Sequence, residues 1–219
     1  MKITLPDNSS RELPQGSSGY DLAKDIGPGL AKSAVAVSVN GVQRDLHDVI
    51  EGDASVSIIT IDSDEGIEIM RHTLTAQVLA RAIKNLYPKS KLAIGPTIDD
   101  GFYYDVESEK SISSDDLSKI EDEMKKIIKT KSSITKKLVS KSEALKVFKE
   151  KKESYKEIIV NESKQKDNFQ LYYQDDKKFV DLCRGPHLPN LEFIGSFKLT
   201  KVSGAYWKGD SANAMLTRI

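Results

Sequence analysis

A chain of 219 residues, 38% hydrophobic and 30% charged, is long enough for one large or two modest cores and too apolar for a disordered tail. No apolar run approaches the roughly 20 residues of a membrane span, and the start Met1-Lys2-Ile3-Thr4-Leu5-Pro6-Asp7 lacks the apolar centre of a signal peptide. The net charge of zero argues neither for nor against a nucleic-acid partner, and the single cysteine, Cys183, excludes an internal disulfide and points to a reducing, cytoplasmic setting.

The first sixty residues read as a small strand-rich unit. Lys2–Leu5 and Arg11–Leu13 are the arms of a hairpin, and Ser17 or Ser18 caps a helix over Tyr20–Ile26 that stops at Gly27-Pro28-Gly29. Ala34–Val39 and Val42–Asp45 flank Asn40-Gly41, a strong hairpin signal, and Val56–Thr60 closes the unit. This order predicts a β-grasp, ubiquitin-like domain over residues 1–61. The acidic stretch 62–66 reads as a linker.

From residue 67 onward the pattern is α+β. A helix is expected over Thr73–Tyr87, with Thr73 as its N-cap and Pro88 beyond its end. Strands are expected at Leu92–Ile98 and Gly101–Val106 around a turn at Asp99-Asp100-Gly101. Helices follow at Ser114–Ile128 and Ser142–Lys151, then strands at Asn168–Tyr173, Phe179–Cys183 and Phe197–Val202. Between Glu121 and Lys156 lysines outnumber acids twelve to six. Such a segment is either a phosphate footprint or a solvated helix face. Phosphate-loop and dinucleotide fingerprints are absent.

Two short strings hold most of the chemistry-bearing side chains. They are Met70-Arg71-His72-Thr73-Leu74-Thr75-Ala76-Gln77 and Asp181-Leu182-Cys183-Arg184-Gly185-Pro186-His187. A histidine at a helix start and a Cys-x-x-x-His after a strand can gather around one pocket; read blandly, they are a buried thiol and satisfied histidines. His47 reads as structural. Lys156, in Glu153-Ser154-Tyr155-Lys156-Glu157, has the neighbours of a surface salt-bridging lysine.

With Lys91-Leu92-Ala93-Ile94-Gly95-Pro96, Gly101-Phe102-Tyr103-Tyr104-Asp105, Asp181 to His187, and Gly204-Ala205-Tyr206-Trp207-Lys208-Gly209-Asp210, the chain resembles the amino-terminal part of threonyl-tRNA synthetases. That part is a TGS domain (1–61) followed by an editing domain (67–219). The resemblance implies hydrolysis of serine wrongly attached to threonine tRNA, at the tRNA 3′ end, with contacts to the acceptor arm. It also implies a dimeric, cytoplasmic parent enzyme and no aminoacylation by this part. His72 and Lys156 would be catalytic. Tyr104 and Asp181 would shape the serine subsite, and Cys183, His187 and Gln77 would complete the pocket. No cofactor is expected, although zinc on His72, Cys183 and His187 is an alternative. The alternative functions are a catalytically impaired acceptor-arm binder and a freestanding deacylase.

The family's His-x-x-x-His is altered here, with Gln77 in place of the second histidine, five residues after His72. On a regular helix five residues rotate about 500°, leaving the two side chains about 140° apart.

Overall fold

The computed structural model describes every residue except Asp176. The first unit is a five-stranded sheet ordered β2-β1-β5-β3-β4, from β1 (Lys2–Thr4), β2 (Ser10–Glu12), β3 (Ala34–Val39), β4 (Val42–Asp45) and β5 (Ala54–Thr60). The first and last strands, β1 and β5, run parallel at its centre, with helix α1 (Gly19–Ile26) packed across the face. This is the β-grasp arrangement expected. Ser18 starts α1 through a reciprocal capping box with Asp21, satisfying two end groups of the helix. The Gly27-Pro28-Gly29 stop is followed at once by a second short helix, α2 (Pro28–Ser33), because Pro28 stands in the first turn, where its missing N–H costs nothing. Ile3, Leu22, Val37, Ile50 and Val56 are almost wholly buried and form this domain's core. Each such side chain is worth roughly 1.5–3 kcal/mol of burial.

The joint between the domains is shorter than 62–66. Asp64 already begins a helix, α3 (Asp64–Thr73), capped by the Ser63 hydroxyl on the N–H of Gly66. The helix runs through a six-residue π-helical turn, Leu74–Leu79, into α4 (Ala80–Leu86). Thr73 is therefore inside the helix and not at its start. Its hydroxyl donates to the Ile69 carbonyl one turn back.

Around this long helix the second region assembles three small sheets. One, ordered β13-β14-β9-β6, joins β6 (Lys91–Leu92), β9 (Asp105–Glu107), β13 (Ser203–Tyr206) and β14 (Met215–Arg218). A two-residue ladder pairs β7 (Thr97–Ile98) with β8 (Gly101–Phe102) at the Asp99-Asp100 turn. The third sheet places β11 (Phe169–Gln174) between β10 (Ile134–Val139) and β12 (Val180–Leu182). Helix α5 (Leu117–Lys129) packs on the long helix, while α6 (Lys141–Glu150) and α7 (Ser154–Glu162) bury Ala144, Phe148 and Val160 against β10, β11 and β12. The strand expected at Phe197–Val202 lies later, at Ser203–Tyr206. Leu199 is instead buried, with its N–H held by Glu121.

The two domains share an apolar seam of Val35 and Ile59 against Ile69 and Leu188. None of the described helices is long and apolar enough to cross a membrane.

Candidate functional site

Three buried polar side chains meet where α7, β12 and the segment before β9 converge. Lys156 Nζ donates to Asp181 Oδ1 at 2.6 Å and to the Tyr104 hydroxyl at 2.9 Å, and that hydroxyl donates to Asp181 Oδ2 at 3.0 Å. Asp181 Oδ1 also accepts the N–H of Leu182. Lys156 is 3% exposed, Asp181 2% and Tyr104 fully buried. Burying a lone charge costs several kcal/mol, so each ion here depends on the other. Burial, and then the Asp181 charge, push the Tyr104 phenol well above its ordinary range, so it acts as a neutral donor. An ammonium has three hydrogens and two are spent inside the triangle, leaving one for the cavity beyond.

The second cluster is built on the long helix. His72 Nδ1 faces the Pro186 carbonyl at 3.2 Å; a carbonyl only accepts, so Nδ1 carries the proton and Nε2 a lone pair. That lone pair meets Cys183 Sγ at 2.8 Å. Desolvation holds His72 below its ordinary value of 6.5, against the opposing pull of the Pro186 carbonyl and the Asp181 charge, which keeps the ring neutral at pH 7. His187 stacks on His72 with ring centres 4.5 Å apart. Thr73 has already donated its hydroxyl hydrogen, so at their 3.1 Å contact His187 Nδ1–H is the donor. His187 Nε2 is then a buried lone pair without a partner among the described residues.

The π turn decides what Gln77 does. The Ala80 N–H bonds the Thr75 carbonyl five residues back, which widens the helix and removes the regular 100° step on which the 140° separation rested. Ala76 lines the cavity beside His72. Gln77 is fully buried away from it, where Gln174 Nε2 donates to its carbonyl at 2.7 Å. It is a packing residue of the helix and not part of the cavity wall.

The β-grasp domain reaches this cluster through Asp45 at the end of β4. Its Oδ1 accepts the His187 N–H at 2.8 Å, and its Oδ2 accepts the Tyr172 hydroxyl at 2.9 Å and Lys136 Nζ at 2.8 Å. Tyr172 meets the His187 ring edge-on at 4.4 Å. Gly185 passes over this hydroxyl so closely that a Cβ would lie 2.0 Å from it, and its φ of +66° suits glycine. Asp45, Tyr172 and Thr73 carry no signal in the local sequence; only the fold brings them under the histidines. Arg184, inside the Asp181–His187 string, had no expected role and stands exposed at the cavity mouth.

His72, Tyr104, Lys156, Asp181 and Cys183 line one cavity of about 690 Å³, within the size range of small-molecule sites. His187 lies behind His72 and does not line it. Gly95 forms part of the wall, and a Cβ there would stand 2.3 Å from the Tyr104 ring. The chemistry of His72 Nε2, His187 Nε2 and Cys183 Sγ suits a soft cation, with one atom from each within 4.8 Å of the others. Both Nδ1–H groups are held by a carbonyl or a hydroxyl, as in zinc sites. Closing on an ion requires the 2.8 Å His72–Cys183 contact to open to about 3.5 Å, the spacing of two ligands on tetrahedral zinc.

Residues 1–60 match the TGS domain family. Residues 170–219, which carry β11, β12, Asp181, Cys183 and His187, match the family described as the threonyl and alanyl tRNA synthetase second additional domain.

Proposed function

This chain joins a TGS domain to the editing-associated domain of threonyl and alanyl tRNA synthetases, and from that premise we propose that its cavity hydrolyses serine esterified to the 3′ end of threonine tRNA. The observation that carries the reading is the buried Lys156–Asp181–Tyr104 triangle opening into the cavity that His72 and Cys183 also line. A buried ion pair adds little stability over apolar side chains of the same volume, so one that borders a cavity marks a candidate functional site.

Serine differs from threonine by one methyl group, which a synthetic site distinguishes by only about 1–3 kcal/mol, so a second sieve that admits the smaller amino acid is needed. Gly95 packs directly on the Tyr104 ring, where a Cβ would stand 2.3 Å from it, and this rigid stretch of wall is where the reading places rejection of the threonine methyl. Asp181 spends three of its roughly four acceptor sites on Lys156, Tyr104 and the Leu182 N–H. The remaining one faces the substrate amine.

In the reaction, a water oxygen attacks the ester carbonyl carbon while His72 Nε2, released from the Cys183 thiol, takes the water proton. The third N–H of Lys156 stabilises the oxygen on which negative charge develops. The bond between the acyl carbon and the ribose oxygen breaks, and His72 returns its proton to that oxygen. Free serine and deacylated tRNA leave. Zinc held by His72, Cys183 and His187 would supply Lewis-acid activation of the water; the steps above use only side chains of the chain.

The test is serine release from seryl-tRNA by this chain and by Lys156→Ala. Release by the parent and its loss by a factor of about 100 or more in the variant support the reading. Equal rates for the two proteins would remove Lys156 from the chemistry, and no release by the parent would leave an acceptor-arm binder.

A further inference from the structure

A second depression lies between the two domains and shares Asn168, Gln170 and Arg184 with the catalytic cavity. It encloses about 350 Å³. One side is β4 of the TGS domain, with Val42 and Arg44, and the other is β10 of the second region, with Lys136 and Leu138. The groove thus runs from the cavity mouth out along the domain junction.

Its charges are unevenly committed. Asp45 and Asp48 are the groove's carboxylates, and both are paired to Lys136. Asp45 also accepts from Tyr172 and from the His187 backbone. Lys136 gains enough from the two carboxylates to lie above its ordinary range, although desolvation opposes them. Arg44 and Arg184, by contrast, have no hydrogen-bond or ion-pair partner among the described residues. Two uncommitted guanidinium groups therefore flank a groove whose acids are neutralised. The same groove exposes two large aliphatic side chains, Val42 at 58% and Leu138 at 54%. Free guanidinium forks suit phosphate oxygens, and apolar faces suit the flat face of a base.

We infer that this interdomain groove binds the nucleotides immediately 5′ of the terminal aminoacylated ribose, with phosphates on Arg44 and Arg184 and a base against Val42 and Leu138. The inference rests on the proposed deacylation, because the groove opens into the cavity where the ester would lie. It assigns the TGS domain a direct part in substrate binding: one wall of the track is β4. Residues 1–68 hold twelve acids against five bases, which does not oppose this, since Asp45 and Asp48, the acids that face the groove, are already paired.

The experiment compares two substrates, seryl-tRNA and the 3′-seryl ester of adenosine, which carries no phosphate. For Arg44→Ala the KM for seryl-tRNA rises about tenfold and its dependence on salt flattens by about 0.7 per lost single-strand phosphate contact, while kcat holds. With the adenosine ester the same variant matches the parent. Arg44→Lys keeps the charge and recovers most of the salt slope, which a variant damaged in folding would not do. An unchanged KM and salt slope for Arg44→Ala, with the parent active on both substrates, overturns the groove and leaves the deacylase reading standing. If the parent releases serine from neither substrate, the deacylase reading itself fails and the groove assignment falls with it.

Discussion

The two halves of the chain solve the folding problem differently. The β-grasp half is held by Ile3, Leu22, Val37, Ile50 and Val56, with no charged side chain in that core; its one buried polar residue, Ser18, serves as a helix cap, and Asp45 and Asp48 turn to the domain junction. The other half buries Gln77, Asp105, Glu121, Glu153, Lys156, Gln174, Asp181 and His187. Some are structural pairs, such as Asp105 with Arg218 and Glu153 with Lys84. Lys156, Asp181 and the histidine stack converge on a cavity instead. The contrast teaches where to look for chemistry. Buried charge is hard to keep, so charge kept beside an open space is the first place to look.

That contrast breaks most visibly at Asp181. Asp181→Ala strands the Lys156 ammonium in the interior and is expected to cost about 3–5 kcal/mol in urea unfolding. The paired replacement Asp181→Leu with Lys156→Met recovers most of that stability, yet releases no serine. Recovery of activity together with stability would make the ion pair architectural only. Gly95→Ala is next: its Cβ at 2.3 Å from Tyr104 pushes the ring aside, costing about 1–3 kcal/mol. Serine release should fall with it, whereas alanine at Gly29 in the β-grasp half, where a Cβ meets nothing within 4 Å, leaves activity intact.

Asp45 tests the seam between the halves. Asp45→Ala leaves the His187 N–H without its acceptor, while the Tyr172 hydroxyl keeps Gln170 and Lys136 keeps Asp48, and is expected to cost about 1–2 kcal/mol. Because His187 stacks on His72, kcat for serine release should fall as well. A loss of stability with kcat unchanged would separate the TGS domain from the chemistry.

The smallest expected effects concern protons and metal. Since desolvation holds His72 below 6.5, its lone pair stays free as pH falls through 6.5. The acid limb of kcat/KM is therefore expected below that pH. A limb above 6.5 would take the base role from His72. Exhaustive chelation should leave the rate unchanged, and loss restored by zinc would transfer water activation to the His72–Cys183–His187 set.

How much of this was legible in the chain depended on range. The Asn40-Gly41 hairpin, the Ser18 cap and the strands of the β-grasp half follow from neighbours in sequence, and they stand where expected. The strings Met70–Gln77 and Asp181–His187 marked a site because chemistry-bearing residues fall close together in them, whereas Tyr104 was named only through family resemblance. Lys156 was legible only through family resemblance. Its neighbours Glu153, Ser154 and Glu157 describe a surface helix, and nothing local says that Asp181 waits opposite. The π turn had no local signal either, because a one-residue excess in a helix is absorbed by hydrogen bonding five residues back, as between Ala80 and Thr75. That turn is why Gln77 packs against Gln174 and leaves the cavity to Ala76. Asp45 and Arg44 belong to a domain whose pattern is complete without them, so their work at the junction appears only once both domains are in place.

The most direct measurement is single-turnover hydrolysis of seryl- and threonyl-tRNA side by side by the parent protein. The account predicts rapid loss of serine and retention of threonine, the discrimination exceeding the ~10–200-fold that one methyl group provides in a simple pocket. Equal loss of both amino acids, or loss of neither, would contradict it.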